Sequence, residues 1–230
     1  MRKYKHLFFD LDHTLWDFET NARLTLVELY GKYGLGNYFE GFEQFFASYE
    51  PVNEELWAQY REGEITRDFL NTERFYRPMK AAGADDYVMA QAFAEDFIAV
   101  SPQKTTLLPH AIEVLDYLYH RYQMHIITNG FLRTQVLKLQ HSGLKNYFQH
   151  VFISEQIGAS KPHKAFFEHA VKSVNARKRE SLVIGDSLEA DVAGARNFGL
   201  DQVYFNPSKA LHHEKVTMEI SSLKELMDFL

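Results

Sequence analysis

Short, continuous apolar runs alternate with amphipathic stretches at the start of the chain and through its second half. The runs are rich in Ile, Val and Phe, which is typical of strands buried on both faces of a parallel sheet. Such strands are predicted at 7–9, 124–127, 151–153, 182–184 and 202–205. Amphipathic helices are predicted over 111–122, 131–141, 162–174 and 188–197. Because strands and helices alternate, the pattern predicts an α/β fold with a doubly wound parallel sheet.

The pattern changes between residues 16 and 105, where helix-like stretches follow one another without a convincing strand. Helices are predicted here over 19–33, 39–48, 54–61, 67–82 and 86–100. We therefore predict two domains. Residues 1–15 and 106–230 form the α/β core, and residues 16–105 form an inserted all-helical domain.

Composition and charge exclude several kinds of site. The 230 residues are 46% hydrophobic, which is ample for packed cores. A net charge of −6 provides no basic field for a nucleic acid polymer, so small molecules are the expected ligands. The chain has no cysteine, which excludes disulfides, thiolate metal sites and thiol catalysis. Its 11 histidines form no metal-ligand pattern.

The same hydropathy pattern bears on localisation. The apolar stretch that follows the basic residues near the start ends at Asp10, which makes it too short for the core of a signal peptide. No apolar run approaches the roughly 18 residues of a membrane span. We therefore expect a cytoplasmic protein without a membrane partner, and the sequence leaves the oligomeric state open.

Two carboxylates follow the first apolar run. Asp10 and Asp12 lie two residues apart at its end. Side chains alternate along an extended chain, so both carboxylates leave the same face. This spacing suits a nucleophile and an acid/base that serve one phosphorus atom. Taken alone, the pair fits an ordinary exit from a strand into a turn, where Asp is common, about as well as it fits a catalytic site.

Three further motifs follow later apolar runs. In chain order they are Thr128-Asn129-Gly130, Lys161-Pro162 and the segment from Gly185 to Asp191, which includes Asp186. Each motif alone is compatible with a turn, a surface loop or a helix cap. Together with Asp10 and Asp12, the ordered set resembles the four motifs of the haloacid dehalogenase superfamily in its phosphatase form. The resemblance spans residue 5 to about residue 206.

This resemblance implies a role for each motif residue. Asp10 is the expected nucleophile, and an aspartyl phosphate formed on it divides one hydrolysis into two displacements. Asp12 is the expected general acid toward the leaving oxygen and then the general base toward water. Thr128 and Lys161 complete the catalytic set. The residues expected to bind phosphoryl oxygens are Thr128, Asn129, Gly130 and Lys161, aided by the start of the helix after them.

The resemblance also implies a magnesium ion. Its usual shell is made of hard oxygen ligands, here the carboxylates of Asp10 and Asp186 and the backbone carbonyl of Asp12. Asp191 is expected to orient a metal-bound water or Lys161. In the family geometry the Asp12 carboxylate points away from the metal toward a cap. We therefore expect desolvation to raise the pKa of Asp12 above its usual ~3.9.

An inserted helical domain at this position is, by the same resemblance, a cap that closes over the site and excludes water. Residues 52–66 resemble the cap segment of house-cleaning pyrimidine nucleoside 5′-monophosphatases. Asn53 and Trp57 in that segment are predicted to contact the substrate, although aromatic residues on helices more often belong to a core. A nucleoside 5′-monophosphate is thus the expected small phosphorylated substrate.

Other functions stay open on the sequence alone. A sugar phosphate or phosphoglycolate would be hydrolysed by the same chemistry. A 2-haloacid dehalogenase is disfavoured because that branch lacks the second acid, here Asp12. A phosphomutase is disfavoured because no residue indicates that the cap retains a sugar bisphosphate. A metabolite-binding module without turnover would not require the nucleophile Asp10 together with Asp12.

Overall fold

Within residues 3–230, which the computed structural model describes, a six-stranded parallel sheet forms the centre of the α/β part. The strands are β1 (His6–Phe9), β2 (Gln123–Thr128), β3 (His150–Ile153), β4 (Ser181–Gly185), β5 (Asp201–Phe205) and β6 (Met218–Ile220). Their order in the sheet is β3-β2-β1-β4-β5-β6, and every neighbouring pair is parallel. The predicted doubly wound α/β sheet is confirmed.

Helices connect these strands and fill the long segment after β1. The α-helices are α1 (Phe18–Lys32), α2 (Phe42–Arg61), α3 (Arg67–Ala81), α4 (Tyr87–Val100), α5 (Ala111–Tyr119), α6 (Leu132–His141), α7 (Ser154–Ile157), α8 (Lys164–Ser173) and α9 (Gly194–Phe198). Short 3-10 turns lie at Leu35–Asn37, Ser101–Gln103, Leu144–Tyr147, Lys178–Glu180 and Leu223–Asp228. A π-helical turn occupies Leu188–Ala193, immediately before α9.

The chain divides into two compact units. We call the residues up to Glu19 together with Gln103–Leu230 the core unit, and Thr20–Pro102 the helical unit. The helical unit has its own aromatic core, in which Phe45, Phe75 and Phe93 are completely buried. None of the helices in residues 3–230 combines the length and the apolar character that crossing a membrane requires.

Side chains on both faces of the sheet are buried, which explains why its strands are continuous apolar runs rather than alternating ones. Leu7 and Phe9 of β1 pack in a cluster with Leu115 and Leu118 of α5. Phe8, which alternates with them, packs in a second cluster with Phe166 of α8. The sheet is therefore covered by helices on both faces, as the doubly wound architecture requires.

The structure differs from the predicted elements in several places. The strand β6 was not predicted, because its three residues are too few to show a pattern. A break was predicted near Pro51, but α2 continues through it as one helix of 20 residues. Buried side chains on both sides of Pro51, Tyr49 and Leu56, keep the helix on the core of the helical unit. The predicted regular helix at 188–197 begins as the π-helical turn.

Candidate active site

Three strands deliver polar side chains to one edge of the sheet. Asp10 follows β1, Thr128 ends β2, and Asp186 follows β4. The strands are parallel, so their carboxyl ends lie at the same edge. In the sheet, β1 lies between β2 and β4. The strand order changes direction at β1, which makes its carboxyl end a topological switch point. Ligands bind at such crevices in open α/β sheets.

Lys161 joins the motif residues at the centre of this edge. Its ammonium nitrogen Nζ lies 2.6 Å from Asp10 Oδ1 and 2.7 Å from Asp191 Oδ1, and it donates to the Ile127 carbonyl at 3.1 Å. The Lys161 side chain is only 3% exposed. Burial lowers its pKa, but the negative charges of Asp10 and Asp191 outweigh burial and raise the Lys161 pKa above its usual value. Lys161 is therefore charged at neutral pH.

The Asn129 side chain fixes the backbone of Lys161. Its Nδ2 donates to the Lys161 carbonyl at 2.8 Å, and its Oδ1 accepts from the Lys161 amide at 2.8 Å. This reciprocal pair ties the loop after β2 to the loop before α8. Gly130 N–H donates to Thr128 Oγ1 at 3.2 Å, so that hydroxyl oxygen already accepts one hydrogen bond. The first amide of α6, on Leu132, donates to Glu155 at 2.7 Å, so this helix end is partly occupied by a protein carboxylate.

Asp191 lies in the π-helical turn and is almost fully buried. Its Oδ2 accepts from the Ser187 amide at 3.2 Å, while Oδ1 faces Lys161. A Cβ atom on Gly185 would lie 2.3 Å from Asp191 Cγ, so only glycine lets the Asp191 carboxylate approach the end of β4. That Asp191 orients a metal-bound water or Lys161 stays a prediction, and its contact with Lys161 Nζ is one observation on which it can rest.

Three carboxylates share this site with a single ammonium group. Oxygen atoms of Asp10, Asp186 and Asp191 all lie within 4.8 Å of one another. Burial, followed by the charge of Asp191, raises the pKa of Asp186 to about 6. Burial also raises the pKa of Asp10, and the neighbouring carboxylates add to this effect while Lys161 opposes it. Three negative charges against the one positive charge of Lys161 leave an excess of two.

This excess fits a divalent cation. Carboxylate oxygens are the ligands that Mg²⁺ prefers, and it commonly takes one or two carboxylates, with waters and phosphate completing the shell. Asp10 and Asp186 would hold the ion, and the family resemblance adds the Asp12 carbonyl, while both Asp191 oxygens already have partners. A bound Mg²⁺ would supply neutralisation of the charge on the phosphoryl oxygens and on the carboxylates. Thr14 Oγ1 donates to Asp186 Oδ1 at 2.9 Å and so orients that ligand.

Magnesium binding should therefore weaken below about pH 6. Asp186 has its pKa raised to about 6, so at lower pH the ion must displace a proton from a ligand. We expect the apparent affinity to fall by up to about tenfold for each pH unit below that value. Isothermal titration with Mg²⁺ at about pH 5 and about pH 7.5, in two buffers of different ionisation enthalpy, measures the affinity and the protons released. Equal affinity at the two pH values, without proton release, would contradict this assignment.

Asp12 occupies a different environment from the other carboxylates. Its Oδ1 accepts from Lys138 Nζ at 2.6 Å, and its Oδ2 accepts from Gln135 Nε2 at 2.8 Å. Burial raises the pKa of Asp12, but the Lys138 charge and the two hydrogen bonds outweigh burial, so the Asp12 pKa lies below its usual value. The prediction of a raised Asp12 pKa is therefore wrong for this structure, because the sequence did not reveal the cation beside it.

Gln135 and Lys138 were missed in the sequence. They lie three residues apart on α6, with Lys138 3% exposed in its side chain and Gln135 fully buried. A signal was present, since Gln135 lies four residues after the buried Phe131 and Lys138 three residues after Gln135, which places them on one helix face. A lysine at such a position is unusual and indicates a buried partner.

Asn53 and Trp57 lie in the helical unit, four residues apart on α2, and both are partly exposed. Arg74 Nη1 of α3 donates to Asn53 Oδ1 at 3.4 Å. Because a guanidinium group only donates, this contact leaves the Asn53 NH₂ group as the donor available to another molecule. Their predicted contact with the substrate stays a prediction.

Known proteins resemble this chain over its full length. The family model of haloacid dehalogenase-like hydrolases matches residues 4–199. Pyrimidine 5′-nucleotidase PynA of Streptococcus pneumoniae is 34% identical over 99% of this chain and 95% of its own length. Pyrimidine 5′-nucleotidase YjjG of Escherichia coli is 32% identical over 99% of this chain and 98% of its own length.

A solved structure agrees with these sequence matches. The crystal structure of the HAD-hydrolase YfnB of Bacillus subtilis, bound to magnesium, has a TM-score of 0.88 with this chain at 30% identity. The match covers 99% of this chain and 98% of that chain. The residues matched by the family model include Asp10, Lys161 and Asp186. By its sequence, its fold and the arrangement of these residues, the chain belongs to the haloacid dehalogenase-like hydrolases.

Proposed function

We propose that this hydrolase is a magnesium-dependent phosphomonoesterase that acts on nucleoside 5′-monophosphates, pyrimidine ones first. The observation that carries the proposal is the buried group of Asp10, Asp186 and Asp191 around Lys161, with the separate carboxylate of Asp12 nearby. Two relatives that match nearly the whole chain are named pyrimidine 5′-nucleotidases. The cytoplasmic compartment stays a prediction from the sequence.

In the first step, a carboxylate oxygen of Asp10 attacks the phosphorus atom and forms an aspartyl phosphate. The bond between phosphorus and the nucleoside 5′-oxygen breaks, and Asp12 supplies the proton that the departing oxygen needs. Asp12 is paired with Lys138 in this structure and lacks that proton at neutral pH. A phosphate dianion arriving beside Asp12 favours its protonation, since a nearby negative charge raises the pKa of a carboxyl group.

In the second step, water attacks the aspartyl phosphate. Asp12 accepts a proton from that water, the bond between phosphorus and the Asp10 oxygen breaks, and inorganic phosphate leaves. The pairing with Lys138 favours this base form of Asp12. Lys161 stays beside Asp10 through both steps and offsets the repulsion between a carboxylate and a phosphate dianion.

Recognition of the nucleoside is assigned to the helical unit. Asn53 offers a donor for a carbonyl oxygen of a pyrimidine ring, because its own oxygen faces Arg74. Trp57 is partly exposed and presents an aromatic surface suited to stacking on a base. These two residues are the proposed determinants of the preference for nucleotides.

Phosphate release across a substrate panel tests this proposal. The panel contains UMP, CMP, dUMP, dTMP, AMP, GMP, ribose 5-phosphate and phosphoglycolate, each with Mg²⁺ and with EDTA. We expect magnesium-dependent turnover with the highest kcat/KM on pyrimidine monophosphates, and a selective loss on these in Trp57→Ala. Activity that EDTA leaves unchanged would contradict the proposed cofactor.

The same panel separates the alternatives. A higher kcat/KM on ribose 5-phosphate or phosphoglycolate would keep the phosphatase chemistry and reject the nucleotide assignment. Chloride release from 2-chloropropionate without phosphatase activity would indicate a dehalogenase. Binding of nucleotides without turnover of any ester would indicate a metabolite-binding module.

A further inference from the structure

The Asp12 carboxylate is held on both of its oxygens by side chains of one helix, α6. Lys138 Nζ contacts Oδ1 at 2.6 Å and Gln135 Nε2 contacts Oδ2 at 2.8 Å. Lys138 and Gln135 lie one helical turn apart, so the spacing of the α6 backbone sets the distance between the two donors. A carboxylate held at both oxygens cannot rotate without breaking one of these bonds.

Lys138 is itself held in a fixed position. Its ammonium lies 4.2 Å from the centre of the Trp16 ring and 5.2 Å from the centre of the Phe18 ring. Aromatic faces attract a cation and exclude water from it. The Trp16 indole in turn donates to the Lys104 carbonyl at 3.2 Å, which fixes the ring. The charge that contacts Asp12 is therefore supported by residues close in sequence to Asp12 itself.

Gln135 packs closely against Gly130. A Cβ atom on residue 130 would lie 1.7 Å from Gln135 Nε2, so Gly130 leaves the space through which the carboxamide reaches Asp12. Gln135 is 1% exposed, and its carbonyl oxygen accepts no hydrogen bond from residues 3–230. Its role in the structure thus lies in the NH₂ group that it gives to Asp12.

A structural role alone explains this arrangement poorly. A buried ion pair is weak evidence for stability, since apolar residues of similar volume often stabilise a fold as well or better. A buried Lys and a buried Gln with an unsatisfied oxygen both carry desolvation costs. A functional site offsets such desolvation costs when it needs a catalytic carboxylate, here Asp12, in one orientation.

We propose that Gln135 and Lys138 are positioning residues that hold the Asp12 carboxylate in the orientation in which it exchanges protons with the leaving oxygen and with water. The proposal rests on the role assigned to Asp12 under the proposed function. It adds two residues of α6 to the residues on which turnover depends. It also gives Gly130 a second role, which is to make room for the Gln135 side chain.

The test compares Lys138→Met with the wild type on two esters, UMP and 4-nitrophenyl phosphate. UMP releases an alkoxide that needs a proton, whereas 4-nitrophenolate leaves without one. With UMP we expect kcat to fall by about tenfold to a hundredfold, the cost of misplacing a catalytic group by about 1 Å, with KM changed by less than about twofold.

With 4-nitrophenyl phosphate we expect a different time course. In Lys138→Met the first step should proceed at a near-normal rate. Hydrolysis of the aspartyl phosphate should be slow, because it needs a base to activate water. Stopped-flow absorbance should show a burst of about one 4-nitrophenolate per enzyme, followed by slow turnover. Lys138→Arg should restore part of kcat, since it keeps a cation beside Asp12, and Gln135→Ala should show a smaller burst.

The controls separate positioning from folding. Lys145→Met removes an exposed lysine just after the same helix and should leave both esters unaffected. A loss that is equal on both esters and without a burst, in proportion to the unfolded fraction seen by circular dichroism, would overturn the positioning role. So would full activity of Lys138→Met on UMP.

Failure of the proposed function gives a different result. A wild type that hydrolyses 4-nitrophenyl phosphate but not UMP rejects the nucleotide assignment, and 2-glycerophosphate then replaces UMP as the alkyl ester. The burst in Lys138→Met still decides the positioning role in that case. A wild type that hydrolyses none of the three esters would overturn both proposals.

Discussion

Asp10→Asn is expected to lower the rate of phosphate release by at least about a thousandfold, because an amide oxygen does not form the aspartyl phosphate. The substitution keeps the size of the side chain and an oxygen that can accept from Lys161 Nζ, which lies 2.6 Å from Asp10 Oδ1. The loss should therefore fall on kcat and leave substrate binding nearly intact. Phosphate release and equilibrium binding of UMP, measured on the same preparation, check both halves of this prediction.

The stability of the same variant distinguishes lost chemistry from lost structure. Asp10, Asp186 and Asp191 carry two more negative charges than Lys161 neutralises, and Asp10→Asn removes one of them. Without Mg²⁺ at about pH 8 we expect the variant to be at least as resistant to urea as the wild type. Marked destabilisation would contradict the charge excess. A fresh preparation and Asp10→Ala control for slow deamidation, which would regenerate Asp10.

The main features of the site could be predicted because they are local in sequence. Asp10, Thr128 and Asp186 each stand at the end of a short apolar run, and parallel strands bring such ends to one edge. Asn129 was predicted as a phosphate-binding residue, and the structure adds that its side chain holds the backbone of Lys161. No pattern within a motif shows a contact of this kind, because it joins residues 32 positions apart.

What could not be predicted depends on contacts between distant segments. The pKa of Asp12 was expected to rise through burial, but Lys138, which is 126 positions away in the chain, lowers it. The charged end of a lysine on an amphipathic helix is usually exposed to water. The burial of Lys138 therefore follows from tertiary packing rather than from helix periodicity. The π-helical turn that carries Asp191 was also not predicted, since π turns are rare and occur mostly as single turns within α-helices.

The magnesium assignment follows from charge and not from resemblance alone. The Lys161 side chain is 3% exposed, so water does little to screen the carboxylates around it. Burial raises the pKa of Asp186 to about 6 and also raises that of Asp10, and the neighbouring negative charges add to both shifts. A divalent cation removes the excess of negative charge, and the same charges that destabilise the site without metal therefore favour metal binding.

Lys161→Met is expected to abolish turnover and to destabilise the folded protein by about 3–5 kcal/mol at pH 8, the usual cost of removing one partner of a buried ion pair. Lys161 Nζ donates to Asp10, to Asp191 and to the Ile127 carbonyl, and methionine replaces none of these bonds. The variant leaves Asp10 and Asp191 buried without a countercharge.

The destabilisation in Lys161→Met should depend on pH with a definite sign. The Asp10 pKa is already raised in the folded wild type, and loss of Lys161 raises it further. A carboxyl group with a raised pKa in the folded state favours folding at low pH, and this contribution is lost as the pH rises through that pKa. Urea unfolding without Mg²⁺ should therefore show a smaller difference from the wild type at about pH 5 than at about pH 8.

Magnesium gives a second test of the same charge balance. In Lys161→Met the carboxylates lack the charge of Lys161, and Mg²⁺ would neutralise part of their charge. Mg²⁺ should therefore raise the unfolding midpoint of Lys161→Met by more than that of the wild type at about pH 8. Lys172→Met is the matched control: Lys172 is 75% exposed in its side chain and pairs with Glu168, so its loss should cost less than about 1 kcal/mol at either pH. A difference between Lys161→Met and wild type that is the same at both pH values and unaffected by Mg²⁺ would show that Lys161 contributes packing and not charge.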